Sequence, residues 1–197
     1  ITCGEGGAVL TNRRDLCEKV AQLRNHGIIR GDQEQVSDSP WYYEVVSLGF
    51  NYRLTDIQSA LGISQLSKLE EFLTKRRYIA EAYDKFFEDD PRFLIPPRRA
   101  NIEHSYHLYS LQFDFKIGRC TRSRLFHEMG KKGIKLQVHY IPVYWHPIYV
   151  QKFSYPRGYC QNAEIFYSRQ FSLPIHPGLT EDEVRYVSNT IKLFLAS

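Results

Sequence analysis

Cysteine is scarce in this sequence. Four cysteines, Cys3, Cys17, Cys120 and Cys160, are spread over 197 residues and form no CxxC pair. That spacing favours neither a zinc site nor a disulfide framework, so we expect free thiols in a reducing cytoplasm and no bound metal. Long apolar runs are absent too, since none approaches the roughly 20 residues that a membrane helix needs. We therefore expect no membrane partner.

Neither sign of charge dominates the chain. The 26 Lys and Arg residues are scattered among 22 Asp and Glu residues, which gives a net charge of +4. A nucleic-acid interface needs basic residues that cluster, so we expect no nucleic-acid partner. With 43% hydrophobic and 14% aromatic residues, the chain is not a disordered tail. It is long enough to bury a core.

Several catalytic motifs are missing as well. The sequence has no GxSxG elbow, no HExxH helix and no Rossmann glycine fingerprint, so a serine hydrolase, a zinc protease and a dehydrogenase all lack support. The opening ITCGEGGAVLTN is rich in glycine but lacks the ending of a phosphate-binding P-loop. Its glycines suit tight turns that lead into a strand at residues 8–11. The chain starts inside this motif without a methionine, so we expect a piece of a longer protein.

The most informative stretch that is present is GFNYRLTDIQSALG, residues 49–62. Thr55 and Gln58 have the spacing of a capping box, in which a hydroxyl and an amide satisfy the free backbone donors of a helix start. Asn51 and Arg53 therefore lie on a loop that the helix behind it holds in place. Backbone N–H groups and the helix dipole make such a loop suitable for an anion. An ordinary capped helix start is the alternative, and the residues alone leave both open.

Periodic patterns place the elements on either side of this stretch. Helical spacing begins after Asn12, the predicted N-cap, and stops before Gly27. Residues 28–41 are polar and predict a surface loop, whereas residues 42–48 predict a strand.

A long helical pattern follows Thr55 and continues to Phe86, with a bend predicted at Gly62 or Ser64. A pattern of this length is typical of a connector between domains. The basic cluster at residues 75–77 favours a solvated helix face over a phosphate patch.

A second, α+β part begins where Asp90-Pro91 breaks the helix. Alternating patterns predict strands at residues 104–115 and 134–141, with a helix between them at residues 123–132. A closing helix is predicted to begin at a capping box formed by Thr180 and Glu183.

His139 and Tyr140 end the second of these strands, where Pro142 stops the ladder and side chains can face a cleft. Histidine transfers protons or binds phosphate near neutral pH. A lone histidine is more often structural than catalytic, so the residues alone leave its role open. The aromatic run at residues 144–149 predicts core or lid packing, with stacking on a base as the alternative.

Three segments resemble the pyridoxal-phosphate-dependent sugar aminotransferases of the DegT/DnrJ/EryC1/StrS family. They are ITCGEGGAVLTN, GFNYRLTDIQSALG and QVHYIPV at residues 137–143, and the likeness runs in order from residue 1 to the last helix. It implies the fold class α/β, as the C-terminal part of a type I aminotransferase fold. The implied parts are the end of the large cofactor-binding domain, a connecting helix and a small α+β domain, at residues 1–66, 67–88 and 89–197.

The resemblance also implies an active site. The catalytic lysine, which forms a Schiff base with pyridoxal phosphate, would directly precede Ile1, so this chain itself holds no catalytic residue. Asn51 would bind the cofactor phosphate of the neighbouring subunit, in a homodimer with shared active sites. Arg53, His139 and Tyr140 would bind the nucleotide-sugar.

The implied reaction moves an amino group from an amino acid, expected to be glutamate, to the C4 keto group of a UDP-linked 4-keto-6-deoxy-N-acetylhexosamine, as in pseudaminic acid synthesis for surface glycans. Amination at C3, or a dTDP- or GDP-linked sugar, is the alternative within the family. A non-catalytic binding module is the alternative from another class. Relatives often carry a histidine at the position of Tyr144, which leaves the role of Tyr144 open.

Overall fold

A computed structural model describes residues 1–30, 39–116 and 120–196 of the chain. The chain divides into two units, Ile1–Leu69 and Glu70–Ser197. The three-part scheme with boundaries after residues 66 and 88 stays a prediction. Of the predicted surface loop at 28–41, residues 31–38 lie outside the described residues.

The described residues of the first unit form two helices and a short antiparallel ladder. The elements are α1 (Arg14–Leu23), β1 (Ile28–Ile29), β2 (Glu44–Val45) and α2 (Asp56–Leu66), and β1 pairs with β2.

Local hydrogen bonds explain where predictions for this unit fail. Asn12 does not cap α1, because the Arg13 N–H bonds the Thr11 hydroxyl at 3.1 Å and Arg13 becomes the N-cap. The loop prediction is wrong at Ile28–Ile29, which pair with β2, and the strand predicted at 42–48 is shortened to β2 itself. The predicted strand at 8–11 does not form, since no segment of the described chain pairs with it.

Helix α2 begins at the predicted capping box. The Thr55 N–H donates to Gln58 Oε1 at 3.1 Å, and the Gln58 N–H donates to Thr55 Oγ1 at 3.3 Å, so this prediction is confirmed. The break in the long helical pattern does not lie at Gly62 or Ser64, which are inside α2. It lies at Ser67-Lys68, because the turn tightens there until the Lys68 N–H bonds the Gln65 carbonyl at 3.2 Å.

The second unit packs helices against a three-stranded antiparallel sheet of order β3-β4-β5. Its strands are β3 (Phe93–Leu94), β4 (Tyr109–Phe113) and β5 (Gln170–Leu173). Its helices are α3 (Leu69–Phe87), α4 (Arg122–Lys131), α5 (Pro147–Phe153), α6 (Gln161–Arg169) and α7 (Glu181–Ala196), with a 3₁₀ turn at Val143–Trp145.

One face of this sheet builds the core. Successive side chains of a strand point to opposite faces, and the buried apolar members of β4 and β5 pack with α3, α4 and α7. The principal core residues are Tyr83, Phe87, Tyr109, Leu111, Phe113, Leu125, Met129, Phe171, Leu173, Val184, Val187 and Ile191. The predicted capping box and apolar stripe of α7 are confirmed, since the Thr180 N–H donates to Glu183 Oε2 at 2.8 Å and the Glu183 N–H donates to Thr180 Oγ1 at 3.3 Å.

The strand predicted at 134–141 reduces to a single bridge between Gln137 and Ser172. Beyond β5 the chain continues with Pro174, which has no N–H for a further pair. In the other direction the Gln170 carbonyl already accepts from Arg122 Nη1 at 3.3 Å. The predicted alternation of buried and exposed side chains holds at Ile134 and Leu136, which are buried, but fails at Tyr140, which is 71% exposed.

The strand predicted at 104–115 is confined to β4, because the chain before it turns sharply. Tyr106 has a left-handed backbone with φ of 45°, and its N–H donates to His104 Nδ1 at 2.9 Å. Arg76 fastens this turn, as its Nη1 donates to the carbonyls of Tyr106 and Ile175, both at 3.0 Å. The solvated face predicted for residues 75–77 is therefore wrong for Arg76, whose partial burial lowers its pKa.

Asp84 is the buried carboxylate of the core. It is 8% exposed and accepts from Arg98 Nε at 2.5 Å and from the Tyr109 hydroxyl at 2.7 Å. Burial raises the pKa of the Tyr109 hydroxyl and the nearby Asp84 raises it further, so Tyr109 remains a donor. The carboxylate thus relies on two donors from different elements.

Tyr109→Phe should lower the free energy of unfolding by about 1–3 kcal/mol, because Asp84 loses a donor where water cannot replace it. The control is Tyr78→Phe, which removes the hydroxyl bonded to Glu181 on a side chain that is 53% exposed. Tyr78→Phe should change the free energy of unfolding by no more than about 0.5 kcal/mol. Urea denaturation of both variants measures the difference, and equal losses would contradict the assignment.

Candidate active site

The loop that carries Asn51 and Arg53 is fastened to the end of α1 by its main chain. The Phe50 N–H donates to the Leu23 carbonyl at 2.7 Å, and the Tyr52 N–H donates to the Arg24 carbonyl at 2.8 Å. These bonds satisfy carbonyls that a helix C-terminus leaves free. The position of the Asn51 backbone is therefore set by hydrogen bonds on both sides.

Close approach between this loop and the turn after α1 requires glycine at position 49. A Cβ atom there would lie 2.1 Å from the Gly27 nitrogen, far inside van der Waals contact. Gly27 itself has φ of 71°, a conformation that glycine adopts at little cost. The two glycines allow the loop to lie directly on the turn.

The side chains of this loop present exposed donors. Arg53 Nη1 donates to Asn25 Oδ1 at 3.0 Å, while the exposed Asn51 amide has no hydrogen-bond partner among the residues described. The rings of Phe50 and Tyr52 stack with centroids 4.7 Å apart. An amide and a guanidinium on one fixed loop suit an oxyanion.

Gln58 links the capping box to the opening of the chain. Besides its part in the box, its Nε2 donates to the Glu5 carbonyl at 2.8 Å. The glycine-rich segment is thus held beside the start of α2. This contact between Gln58 and Glu5 was not predicted, because Gln58 and Glu5 are far apart in sequence.

His139 is held by a residue that sequence reasoning missed. Its Nδ1 lies 2.9 Å from the Ser172 hydroxyl on β5, and its ring meets the Tyr140 ring edge-on with centroids 4.5 Å apart. His139 is half-buried, whereas Tyr140 is 71% exposed. Within the described part of the chain, His139 Nε2 has no partner and remains available to a ligand.

Tyr144 belongs to a cluster centred on Glu164 of α6. The Glu164 carboxylate accepts from the Tyr144 hydroxyl, from Trp145 Nε1 at 3.2 Å and from the Gly158 N–H at 2.5 Å. The Tyr144 hydroxyl and the Gly158 N–H hold the pKa of Glu164 below its ordinary value. The guanidinium carbon of Arg157 lies 3.5 Å from the centroid of the Trp145 ring. The cluster packs Tyr144 and Trp145 onto α6, as predicted for the aromatic run, whereas residues 146–149 of that run are exposed.

The predicted site residues thus fall into two groups. Asn51 and Arg53 share a loop of the first unit, whereas His139 and Tyr140 are neighbours in the second. Asn25 and Ser172, which hold them, were missed because no local pattern marks a partner so distant in sequence.

Metal-ligand clusters, cysteine pairs and membrane-spanning helices are absent from the described residues. Across residues 1–30, 39–116 and 120–196, no three potential metal ligands come together. All four cysteines are free. None of the described helices combines the length and the apolar character needed to cross a bilayer.

The chain is similar to several known proteins. An uncharacterised protein of Methanocaldococcus jannaschii is 39% identical over 193 residues, 98% of this chain and 50% of that protein. The UDP-4-amino-4,6-dideoxy-N-acetyl-beta-L-altrosamine transaminase of Helicobacter pylori is 37% identical over 191 residues, 97% of this chain and 48% of that protein. The chain spans about half the length of the curated relatives it matches.

The solved structure of Helicobacter pylori PseC, an aminotransferase involved in the biosynthesis of pseudoaminic acid, has a TM-score of 0.83 and 34% identity, over 94% of this chain and 47% of that one. This similarity confirms the predicted fold class, the C-terminal part of an aminotransferase fold. A family model described as the DegT/DnrJ/EryC1/StrS aminotransferase family matches residues 1–192. The chain therefore belongs to the DegT/DnrJ/EryC1/StrS aminotransferase family.

Proposed function

We propose that the whole protein is a pyridoxal-phosphate-dependent aminotransferase. Its substrates are an amino-acid donor, glutamate, and a UDP-linked 4-keto-6-deoxy-N-acetylhexosamine. The C4 keto group of this sugar receives the amino group. The observation that carries the proposal is the pair of exposed donors, Asn51 and Arg53, on a rigid loop of a chain from an aminotransferase family. The choice of sugar is supported by the Helicobacter pylori transaminase, whose name contains a closely related amino sugar.

The amide of this loop fits the phosphate of the cofactor, and the guanidinium beside it is left for the phosphates of the nucleotide-sugar. The Asn51 amide supplies two N–H groups without adding charge, and the Arg53 guanidinium supplies positive charge beside it. Their loop ends at Thr55, the N-cap of α2, where negative charge is favoured. The chemistry that pyridoxal phosphate supplies when bound is an electron sink and a carrier for the amino group.

The second unit contributes groups that suit a nucleotide-sugar. His139 offers Nε2 to a phosphate or sugar oxygen, since Nδ1 is taken by Ser172 at 2.9 Å. Tyr140 offers an exposed ring and hydroxyl beside it. We assign Arg53 to substrate binding because its charge suits the phosphates of a nucleotide-sugar. We assign His139 and Tyr140 to it because aromatic faces and polar tips together bind sugars and bases.

The proposed enzyme is a cytoplasmic homodimer in which Asn51 of one subunit serves the site of the other. The free thiols of all four cysteines suit the reducing cytoplasm. Arg53 lies beside the same shared site, so an intact dimer interface is required for activity.

A lysine directly before Ile1 is the expected residue in the full-length protein. Reading the coding sequence upstream of Ile1 tests this expectation. Another residue at that position would favour a non-catalytic binding module, since the donors described here would persist without the catalytic amine.

Asn51→Ala should raise the dissociation constant for pyridoxal phosphate about tenfold or more. One hydrogen bond to a charged group contributes about 1.5–3 kcal/mol, and about 1.4 kcal/mol corresponds to one decade. Asn51→Asp should weaken binding further, because a carboxylate accepts only and repels the phosphate. Equilibrium dialysis with the full-length protein measures the constants. The control, Asn162→Ala, removes an exposed amide of α6 and should leave the constant unchanged.

Mixing subunits tests the shared site. A heterodimer of an Asn51→Ala subunit and a subunit lacking the catalytic lysine should contain one intact site and one doubly defective site. Activity should therefore recover partly on mixing. The comparison is made at a cofactor concentration that saturates the unaltered protein but not Asn51→Ala. A mixture no more active than the mean of the two parents, despite demonstrated subunit exchange, would return Asn51 to a structural role.

His139→Ala should raise the KM for the nucleotide-sugar about three- to tenfold, the equivalent of one neutral hydrogen bond of about 0.5–1.5 kcal/mol. The cofactor absorbance should stay unchanged, because Asn51 and not His139 is assigned to the phosphate. Steady-state kinetics with both substrates varied measures the effect. His127→Ala, on the exposed side of α4, is the matched control, and equal kinetics in the two variants would remove His139 from the site.

A further inference from the structure

We propose that Ser172 is a positioning residue for His139, and that Ser110 completes a relay of two hydroxyl groups behind the imidazole ring. This inference rests on the proposed function, in which His139 binds the nucleotide-sugar. Neither serine lies in a motif that points to the reaction, and both become apparent only from the packing of the sheet.

The relay is built into the face of the sheet that is opposite the core. Ser110 of β4 and Ser172 of β5 are directly paired across the strands, and their hydroxyl oxygens are 3.4 Å apart. Ser172 is 4% exposed, so its hydroxyl must find partners within the protein. The partners that the described residues provide are the Ser110 hydroxyl and His139 Nδ1, at 2.9 Å.

The main chain brings His139 to this position. The Ser172 N–H donates to the Gln137 carbonyl at 2.7 Å, and the Gln137 N–H donates to the Ser172 carbonyl at 3.3 Å. His139 follows two residues later, on the same side of the extended segment. Ser172 thus holds both the backbone before His139 and the imidazole ring itself.

The relay selects one tautomer of the neutral ring. The tautomer of a histidine is set by the hydrogen bond made by its other nitrogen. An imidazole nitrogen accepts more strongly than a hydroxyl oxygen, so the Ser172 proton goes to Nδ1 and Nε2 carries the hydrogen. Ser110 then donates to the Ser172 oxygen. His139 consequently presents an N–H donor, which suits the phosphate or carbonyl oxygens of a nucleotide-sugar.

Ser110 connects the relay to water. It is half-buried and lines a cavity of about 910 Å³ in the second unit, together with residues such as Gln112 and Phe166. Its remaining lone pairs can therefore be hydrated while its proton is given to Ser172. No hydroxyl of the relay is then left unsatisfied, which a buried polar chain requires.

The test is the ring tautomer of His139 in the full-length protein, read from the ¹⁵N resonances of labelled histidine at alkaline pH, where histidine rings are neutral. His139→Gln identifies the signals. The unaltered protein should show the Nε2–H tautomer alone, and Ser172→Ala should give a mixture of both. Ser172→Ala should also raise the KM for the nucleotide-sugar about three- to tenfold with little change in kcat, the equivalent of one hydrogen bond.

Three further variants separate positioning from general damage. Ser172→Thr keeps the hydroxyl and should restore both readouts. Ser110→Ala should shift the tautomer less than Ser172→Ala, because water in the cavity can replace its proton. Ser188→Ala removes a hydroxyl that is equally buried but bonds the Val184 carbonyl within α7, and it should change neither readout.

The outcomes are distinct from those that test the proposed function. A tautomer unchanged in Ser172→Ala, or changed equally in Ser188→Ala, overturns the relay. If Ser172→Ala does not fold, Ser172→Val, which also lacks the hydroxyl and suits a strand, takes its place, and an unchanged tautomer in that variant overturns the relay. If the tautomer changes as expected while His139→Ala binds the nucleotide-sugar normally, the relay stands and the substrate role of His139 falls.

Discussion

The second unit depends on the register in which β4 pairs with β5. Tyr109 opposite Leu173 and Leu111 opposite Phe171 place the buried apolar side chains on one face, while Ser110 opposite Ser172 occupies the other. Because side chains alternate, a slip of one residue would exchange the two faces. It would remove the rings from contact with the helices and would place the serine hydroxyls among apolar side chains instead. The register that forms the core is therefore the one that places Ser172 behind His139.

Arginine side chains donate hydrogen bonds to carbonyls near the ends of this sheet. Carbonyls next to the ends of β4 and β5 cannot be paired within the ladder, yet they still need donors. Arg76 donates to the carbonyls of Tyr106 and Ile175. Arg122 donates to the carbonyls of Tyr167, in the last turn of α6, and of Gln170, the first residue of β5. A guanidinium carries five donors in a rigid plane, so one side chain can hold two separate segments. The basic cluster in α3 is accordingly a structural tie at Arg76.

What could be predicted from the sequence follows the distance over which each interaction acts. The two capping boxes and the stripe of α7 were predicted correctly, because they join residues three or four positions apart. The strand at 134–141 was not, because its length is limited by Pro174 and by the contact between Arg122 and Gln170, which no local pattern reveals. The Asn51 loop was predicted to be fixed by the helix behind it, yet the main-chain bonds to α1 also hold it. Ser172 and Asn25 were missed because each lies far in sequence from the residue that it holds.

The candidate binding residues of each unit are held by a different kind of bond, and this difference decides what a substitution measures. Asn51 lies on a loop that main-chain bonds to α1 hold in place, so replacing its side chain removes an amide and little else. His139 is oriented by the side chain of Ser172, so a change at either residue alters the other. Residues in contact are energetically coupled. Single substitutions therefore describe ligand contacts at Asn51, whereas at His139 only a double-mutant cycle with Ser172 separates contact from orientation.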